Sequence, residues 1–149
     1  MMINVAYKKI LVAIDGSQNS LKALAHAAAM AQSFNAELHM LYVSALSKQL
    51  PLPDQIKGAK VPQFSPSNPE SYTKTVLTEA LRSVPEGVTA VTHDEPGEPR
   101  IVIVEFAEHN GCDVIVVGSR GLGTVSGLLM GSVSGYVVHK AKCPVFVVK

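Results

Sequence analysis

Tryptophan is missing from this chain, and aromatic residues make up only 5% of it. That poverty argues against a stacking surface for single-stranded nucleic acid. Charge of either sign is nearly balanced, 13 basic against 12 acidic residues, for a formal net charge of +1. No global field therefore steers the protein toward nucleic acid or an anionic membrane. No apolar run reaches the roughly 18 residues of a membrane span. Cysteine is scarce, and Cys112 and Cys143 form neither a Cys-x-x-Cys pair nor a disulfide framework. Each precedes an apolar strand, so partly buried, unreactive thiols are expected. The opening residues run directly into a strand and lack the charged start and apolar core of a secretory leader. The expected compartment is the cytoplasm.

What is present is an ordinary globule: 149 residues, 47% hydrophobic and 17% charged. A chain of this length forms one domain and buries about two-thirds of its unfolded surface. Lys9 to Ile14 is a short apolar run ended by Asp15-Gly16-Ser17, the pattern of a strand buried on both faces. Residues 20–33 carry Leu21, Leu24, Ala25, Ala28 and Ala31 at helical spacing, with Ser17 or Asn19 available as the cap. Glu37 to Val43 reads as a second strand. Ser44 to Pro69 holds five of the nine prolines and reads as a long irregular excursion, expected to be mobile and to cover a ligand.

Helix is expected again over Ser71 to Val84, with Tyr72, Val76, Ala80 and Val84 on one face. Gly87 to His93 suits an edge strand. Pro99 to Asn110 is ambiguous, because Ile101-Val102-Ile103-Val104 favours a strand by propensity. Pro99 fits a first helical turn and Asn110-Gly111 a stop, so helix is the assignment. Val114 to Val117 is a strand, Ser132 to Lys140 a helix, and Pro144 to Val148 the last strand. This alternation gives five strands and implies a parallel sheet with helices on both faces. Asp15 and Gly118 then end strands at the carboxyl edge, where such sheets bind ligands.

The most informative stretch is Val114 to Gly121, followed by Gly131-Ser132. Its spacing is Gly118, two residues, Gly121, nine residues, then Gly131 and Ser132. Glycines let backbone N–H groups approach an anion closely and adopt positive φ without steric cost. A helix start adds unpaired donors and a partial positive charge. Together they are a means of holding phosphates without a lysine clamp.

The spaced glycine set resembles that of the ATP-binding branch of the universal stress protein family. The likeness extends through Tyr7 to Asp15, Leu41 to Val43, Gly97 to Ala107, Gly111 to Gly121, Leu129 to Val133 and Cys143 to Val148. It implies a single-domain doubly wound α/β sandwich of strand order 3-2-1-4-5, with the first and fourth strands side by side. It also implies an ATP site, or one for AMP or another adenine nucleotide, with Mg2+ carried by the phosphates. Gly118, Gly121, Gly131 and Ser132 match phosphate and ribose contacts, and Val133 offers a further backbone N–H. Asp15 matches an acid beside the ribose or a phosphate-bound metal, Val43 the reader of the adenine edge, and Ala13 and Val117 the pocket wall. A homodimer paired through its last strands is the expected assembly.

Each assignment has a structural competitor. Asp15 would also serve to cap the first helix and Ser132 to cap the last, while Arg120, within the loop, could reach a phosphate or lie outward in solvent. The five histidines share no metal-ligand spacing. The functional expectation is a nucleotide-binding sensor or regulatory protein. There is no Gly-x-x-x-x-Gly-Lys-Ser/Thr loop, base or arginine finger, so hydrolysis is expected to be slow at most. A receiver-like phosphorylation switch would need clustered acids and a lysine at strand ends, and only Asp15 is supplied. An interaction module of the same fold without a physiological nucleotide is the other alternative.

Overall fold

The computed structural model describes residues 3–44, 69–120 and 130–149. Its elements run β1 (Lys9–Ala13), α1 (Gln18–Phe34), β2 (Glu37–Ser44), α2 (Pro69–Arg82), β3 (Ala90–Pro96), α3 (Pro99–His109), β4 (Val114–Gly118), α4 (Ser132–Lys140) and β5 (Val145–Val148). The strands form one parallel sheet in the order β3-β2-β1-β4-β5. This is the doubly wound sandwich expected, with β1 beside β4.

The central strands are apolar at nearly every position because both of their faces are covered. Ile10, Val12, Leu38, Met40, Val114 and Val116 face α1 and α2. Leu11, Leu41, Ile115 and Val117 face α3 and α4. Fully burying one such side chain stabilises the fold by about 1.5–3 kcal/mol, an upper estimate. The helices change face between β1 and β4, which is where the strand order reverses. A crevice opens at the carboxyl edge of such a switch point.

The buried stripe of α1 differs from the expected one. Ala23 and Ala27 are buried with Leu24, Ala28 and Ala31, whereas Ala25 is exposed. In an alanine-rich helix the apolar positions cannot reveal which side packs. Ser17 is the N-cap of α1, its hydroxyl accepting from Ser20 N–H at 3.1 Å. Propensity loses to packing in α3: Ile103, Phe106 and Ala107 are buried at helical spacing, and Pro99 sits in the first turn. The edge strand β3 begins later than expected, at Ala90, and continues through His93, Asp94 and Glu95 to Pro96. It follows β2 as far as Ser44, and polar side chains are tolerated on its exposed faces.

Candidate functional site

Asp15 lies two residues beyond β1 and Gly118 closes β4, so adjacent strands deliver both to the same edge of the sheet. Ala13, Val43 and Val117 come from three neighbouring strands and pack on the α3/α4 side. Val117 is buried, while Ala13 and Val43 are half-buried and closer to the open end. Gly131 precedes α4, Ser132 is its first residue, and Val133 packs against the same α3/α4 cluster. Gly121 lies outside the described residues, as does nearly all of the proline-rich stretch expected to form a cover.

Asp15 belongs to a tight local network. Its Oδ1 accepts from Ser17 N–H at 2.8 Å, and its own N–H donates to Ser20 Oγ at 3.3 Å. A short acid bonding two residues ahead turns the chain from strand into helix. The cap itself is Ser17, so Asp15 orients the capping residue rather than capping α1. Gly16 sits at φ +87°, and a Cβ there would lie 2.8 Å from the Tyr72 hydroxyl. That hydroxyl donates to the Asp15 carbonyl at 3.5 Å, and the Tyr72 ring meets Tyr42 edge-on at 6.3 Å. Burial pushes the ionisation of both tyrosines above the ordinary phenol value, and the nearby Asp15 carboxylate adds to the effect. Both therefore stay protonated at neutral pH.

The start of α4 is built on Ser119. The Ser119 carbonyl accepts from Gly131 N–H at 2.6 Å and from the Ser134 hydroxyl at 2.9 Å, while Ser119 N–H donates to the Val148 carbonyl at 2.7 Å. This network refines the local reading. Gly131, not Ser132, is the N-cap, and exposed Ser132 is the first helical residue. The Gly131 N–H donates to the Ser119 carbonyl. Neither Gly118 nor Gly131 uses positive φ: Gly131 sits at −72°, and the positive-φ glycines among the described residues are Gly16, Gly87, Gly97 and Gly111. The helical ladder begins with Gly135 N–H to the Gly131 carbonyl at 3.0 Å, so the amides of Ser132 and Val133 come ahead of it. No acidic residue occupies this first turn, and His139 and Lys140 close the helix. A helix start without an acid in its first turn presents a partial positive charge that suits an anion.

Sequence reasoning missed three supports of this edge. Ser134 follows Gly131 by three residues, a spacing that would have flagged a capping turn. Asn19 reads in sequence only as a cap, yet its side-chain oxygen accepts from Arg120 N–H at 2.7 Å. Tyr72 was read only as core. His39 and His93 also meet, across β2 and β3, although their sequence spacing gave no hint of it. Among the described residues no group of three His, Cys, Asp or Glu side chains is placed to hold a metal ion. No described helix is long and apolar enough to cross a membrane. Cys112 and Cys143 precede β4 and β5, at the opposite end of the sheet from this crevice.

The family model described as the universal stress protein family matches residues 6–149 of the chain. A universal stress protein of Methanocaldococcus jannaschii is 36% identical over 143 residues, covering 96% of this chain and 82% of that protein. One of Bacillus subtilis is 32% identical over 151 residues, covering 96% and 99%. Among solved structures, a universal stress protein in complex with cAMP has a TM-score of 0.70 at 26% identity, covering 97% of this chain and 98% of that one.

Proposed function

Because the chain belongs to the universal stress protein family, we propose that it binds an adenine nucleotide, ATP foremost, and acts as a cytoplasmic sensor or regulatory protein. One observation carries this reading: the start of α4, with no acid in its first turn, and the Asp15 turn lie at the edge where the sheet reverses its order. The cAMP complex of a structural neighbour supports an adenine ligand at this kind of fold.

In this reading the amides of Ser132 and Val133 take the phosphates, within the loop marked by Gly118, Gly121 and Gly131. Asp15 meets a ribose hydroxyl or the Mg2+ that the phosphates bring. The Val43 backbone reads the adenine edge, and Ala13 and Val117 form the wall. The donor set fits a phosphate chain because it offers N–H groups at a helix start with no competing carboxylate in that turn. Bound phosphates would supply the metal's other ligands. Hydrolysis, if any, is slow, since no general base or arginine finger is identified.

The assembly proposed is a homodimer through β5. This edge strand pairs with β4 alone among the described strands, and Phe146 on it is 43% exposed. Bare apolar edges invite self-pairing. Sedimentation at micromolar concentration tests it, with Phe146→Asp expected to shift the equilibrium toward monomer.

The nucleotide is tested by melting the protein with and without Mg-ATP. A ligand at a hundred times its Kd, binding the native state alone, stabilises by about 2.7 kcal/mol. That corresponds to a rise of roughly 5–10 °C for a domain of this size. No rise at millimolar Mg-ATP would reject the reading.

A further inference from the structure

Asn19 occupies the second position of α1, half-buried against the ends of β4 and β5. Its Oδ1 accepts from Arg120 N–H at 2.7 Å, and its Nδ2 donates to the Val148 carbonyl at 3.4 Å. The two partners fix the orientation of the amide, since only the oxygen can take an N–H and only the nitrogen can serve a carbonyl. The same Val148 carbonyl holds Ser119 N–H at 2.7 Å. One neutral side chain thus ties the start of a helix to the exits of two strands.

Gly118 lies directly beneath it. A Cβ at residue 118 would overlap Asn19 Oδ1 and lie 2.9 Å from Asn19 Cγ. These belong to a residue anchored by two hydrogen bonds, not to a side-chain end free to swing aside. The absence of a side chain at 118 is what admits Asn19, and the backbone there has no need of positive φ.

From this geometry we infer that Asn19 is the positioning residue for the chain leaving β4 at Ser119 and Arg120, and through it for the start of α4, and that Gly118 is glycine to let Asn19 reach it. The inference rests on the nucleotide reading for its functional half. Asn19 holds the Arg120 amide turned toward α1, so that donor is withheld from the ligand. The chain leaving β4 is fixed at Ser119 and Arg120, and Ser119 in turn carries the start of α4 through Gly131 and Ser134. The Ser132 and Val133 amides are thereby set relative to the strand ends. A neutral amide suits this place because a carboxylate would repel the phosphates it helps to position.

The test is a double-mutant cycle in the full chain, using Asn19→Ala, Gly118→Ala and the pair. Each variant is melted alone and titrated with Mg-ATP and, separately, with adenosine. Gly118→Ala should lower the apo melting temperature, and the same change should cost markedly less in the Asn19→Ala background. Asn19→Ala should also speed hydrogen exchange at the Arg120 amide. It should weaken Mg-ATP by roughly five- to tenfold, the factor for losing one neutral hydrogen bond, while adenosine affinity stays within twofold. Strict additivity of the two substitutions, or an unchanged Arg120 exchange rate, would overturn the inference. So would an equal loss of ATP and adenosine affinity, which marks general destabilisation. If wild type binds neither ligand, the nucleotide reading fails, and the cycle with the exchange rate still decides whether Asn19 holds the loop. Should Asn19→Ala fold poorly, Asn19→Asp retains the acceptor for Arg120 and loses the donor to Val148. It should keep Arg120 protected and weaken Mg-ATP more than adenosine.

Discussion

The imidazoles of His39 and His93 meet across β2 and β3, Nδ1 of the first lying 2.8 Å from Nε2 of the second. His39 Nε2 lies 3.0 Å from a Glu37 carboxylate oxygen, and the His93 ring packs on Phe106 of α3 at 4.6 Å. With His39 Nε2–H donating to Glu37, neutral His39 must accept from His93 through Nδ1. The gap between the rings holds one proton. If both rings were charged, each facing nitrogen would carry hydrogen and the bond between the strands would be lost.

The pH dependence follows from the burial of His93 in this pair. Burial holds the His93 pKa below the ordinary imidazole value, with His39 and then Lys9 pushing the same way and Glu95 opposing them. The unfolded chain therefore takes up a proton first as pH falls, and the native state loses stability from the ordinary histidine range down through the lower His93 pKa. Melting temperature should fall as pH drops from 7.5 to 5. In an NMR titration the His93 imidazole should have its midpoint below that of an exposed histidine. A midpoint at or above the ordinary value would contradict the burial of the His93 ring.

Gly16→Ala should destabilise through two separate effects. The residue sits at φ +87°, and the new methyl would meet the Tyr72 hydroxyl at 2.8 Å and Val76 Cγ2 at 3.3 Å. Backbone strain of this kind costs about 1–3 kcal/mol, a drop of roughly 3–10 °C in melting temperature. Tyr72→Phe in the same chain should restore part of the loss, because it removes the contact and leaves the strain. Full restoration would show that the backbone angle costs nothing.

Ser132→Asp separates fold from ligand. An acid in the first turn of α4 interacts favourably with the helix start, so the apo melting temperature should hold or rise slightly. The same charge would repel phosphates, and the Mg-ATP shift should disappear. A retained shift would move the phosphates away from this helix.

The thiols should be sluggish. Burial pushes the Cys112 pKa up to about 11, and burial also raises that of Cys143. The thiolate is the reactive form, so a disulfide reagent at pH 8 should label both slowly in the native state and rapidly in denaturant. Fast native labelling of Cys112 would contradict its burial.

The sequence revealed most of the frame, for identifiable reasons. Strands covered on both faces are continuous apolar runs, and Pro99 with Asn110-Gly111 bracketed α3 despite its β-branched centre. The strand order came from family resemblance rather than from patterning. What stayed hidden depends on distance along the chain. Ala23 and Ala25 look alike until a sheet lies against one of them. Asn19 and Arg120 are 101 residues apart, and His39 and His93 are 54 apart. Their pairings follow from strand neighbours and register, which no local window contains. The glycine set was legible as lying at the carboxyl edge of the sheet, yet it did not reveal that Gly131 N–H is already engaged.

Gly118 shows that a glycine in a binding pattern can answer to a second residue as well as to a ligand. Counted in a glycine pattern, it looks like a letter written by the ligand. Its side-chain space is taken by Asn19, a residue outside the pattern and near the other end of the chain. The two positions form one unit of information, and a relative that keeps the glycine but changes the asparagine keeps the spelling without the meaning. Transfer of a binding role along a sequence pattern should therefore follow such pairs and not their single members.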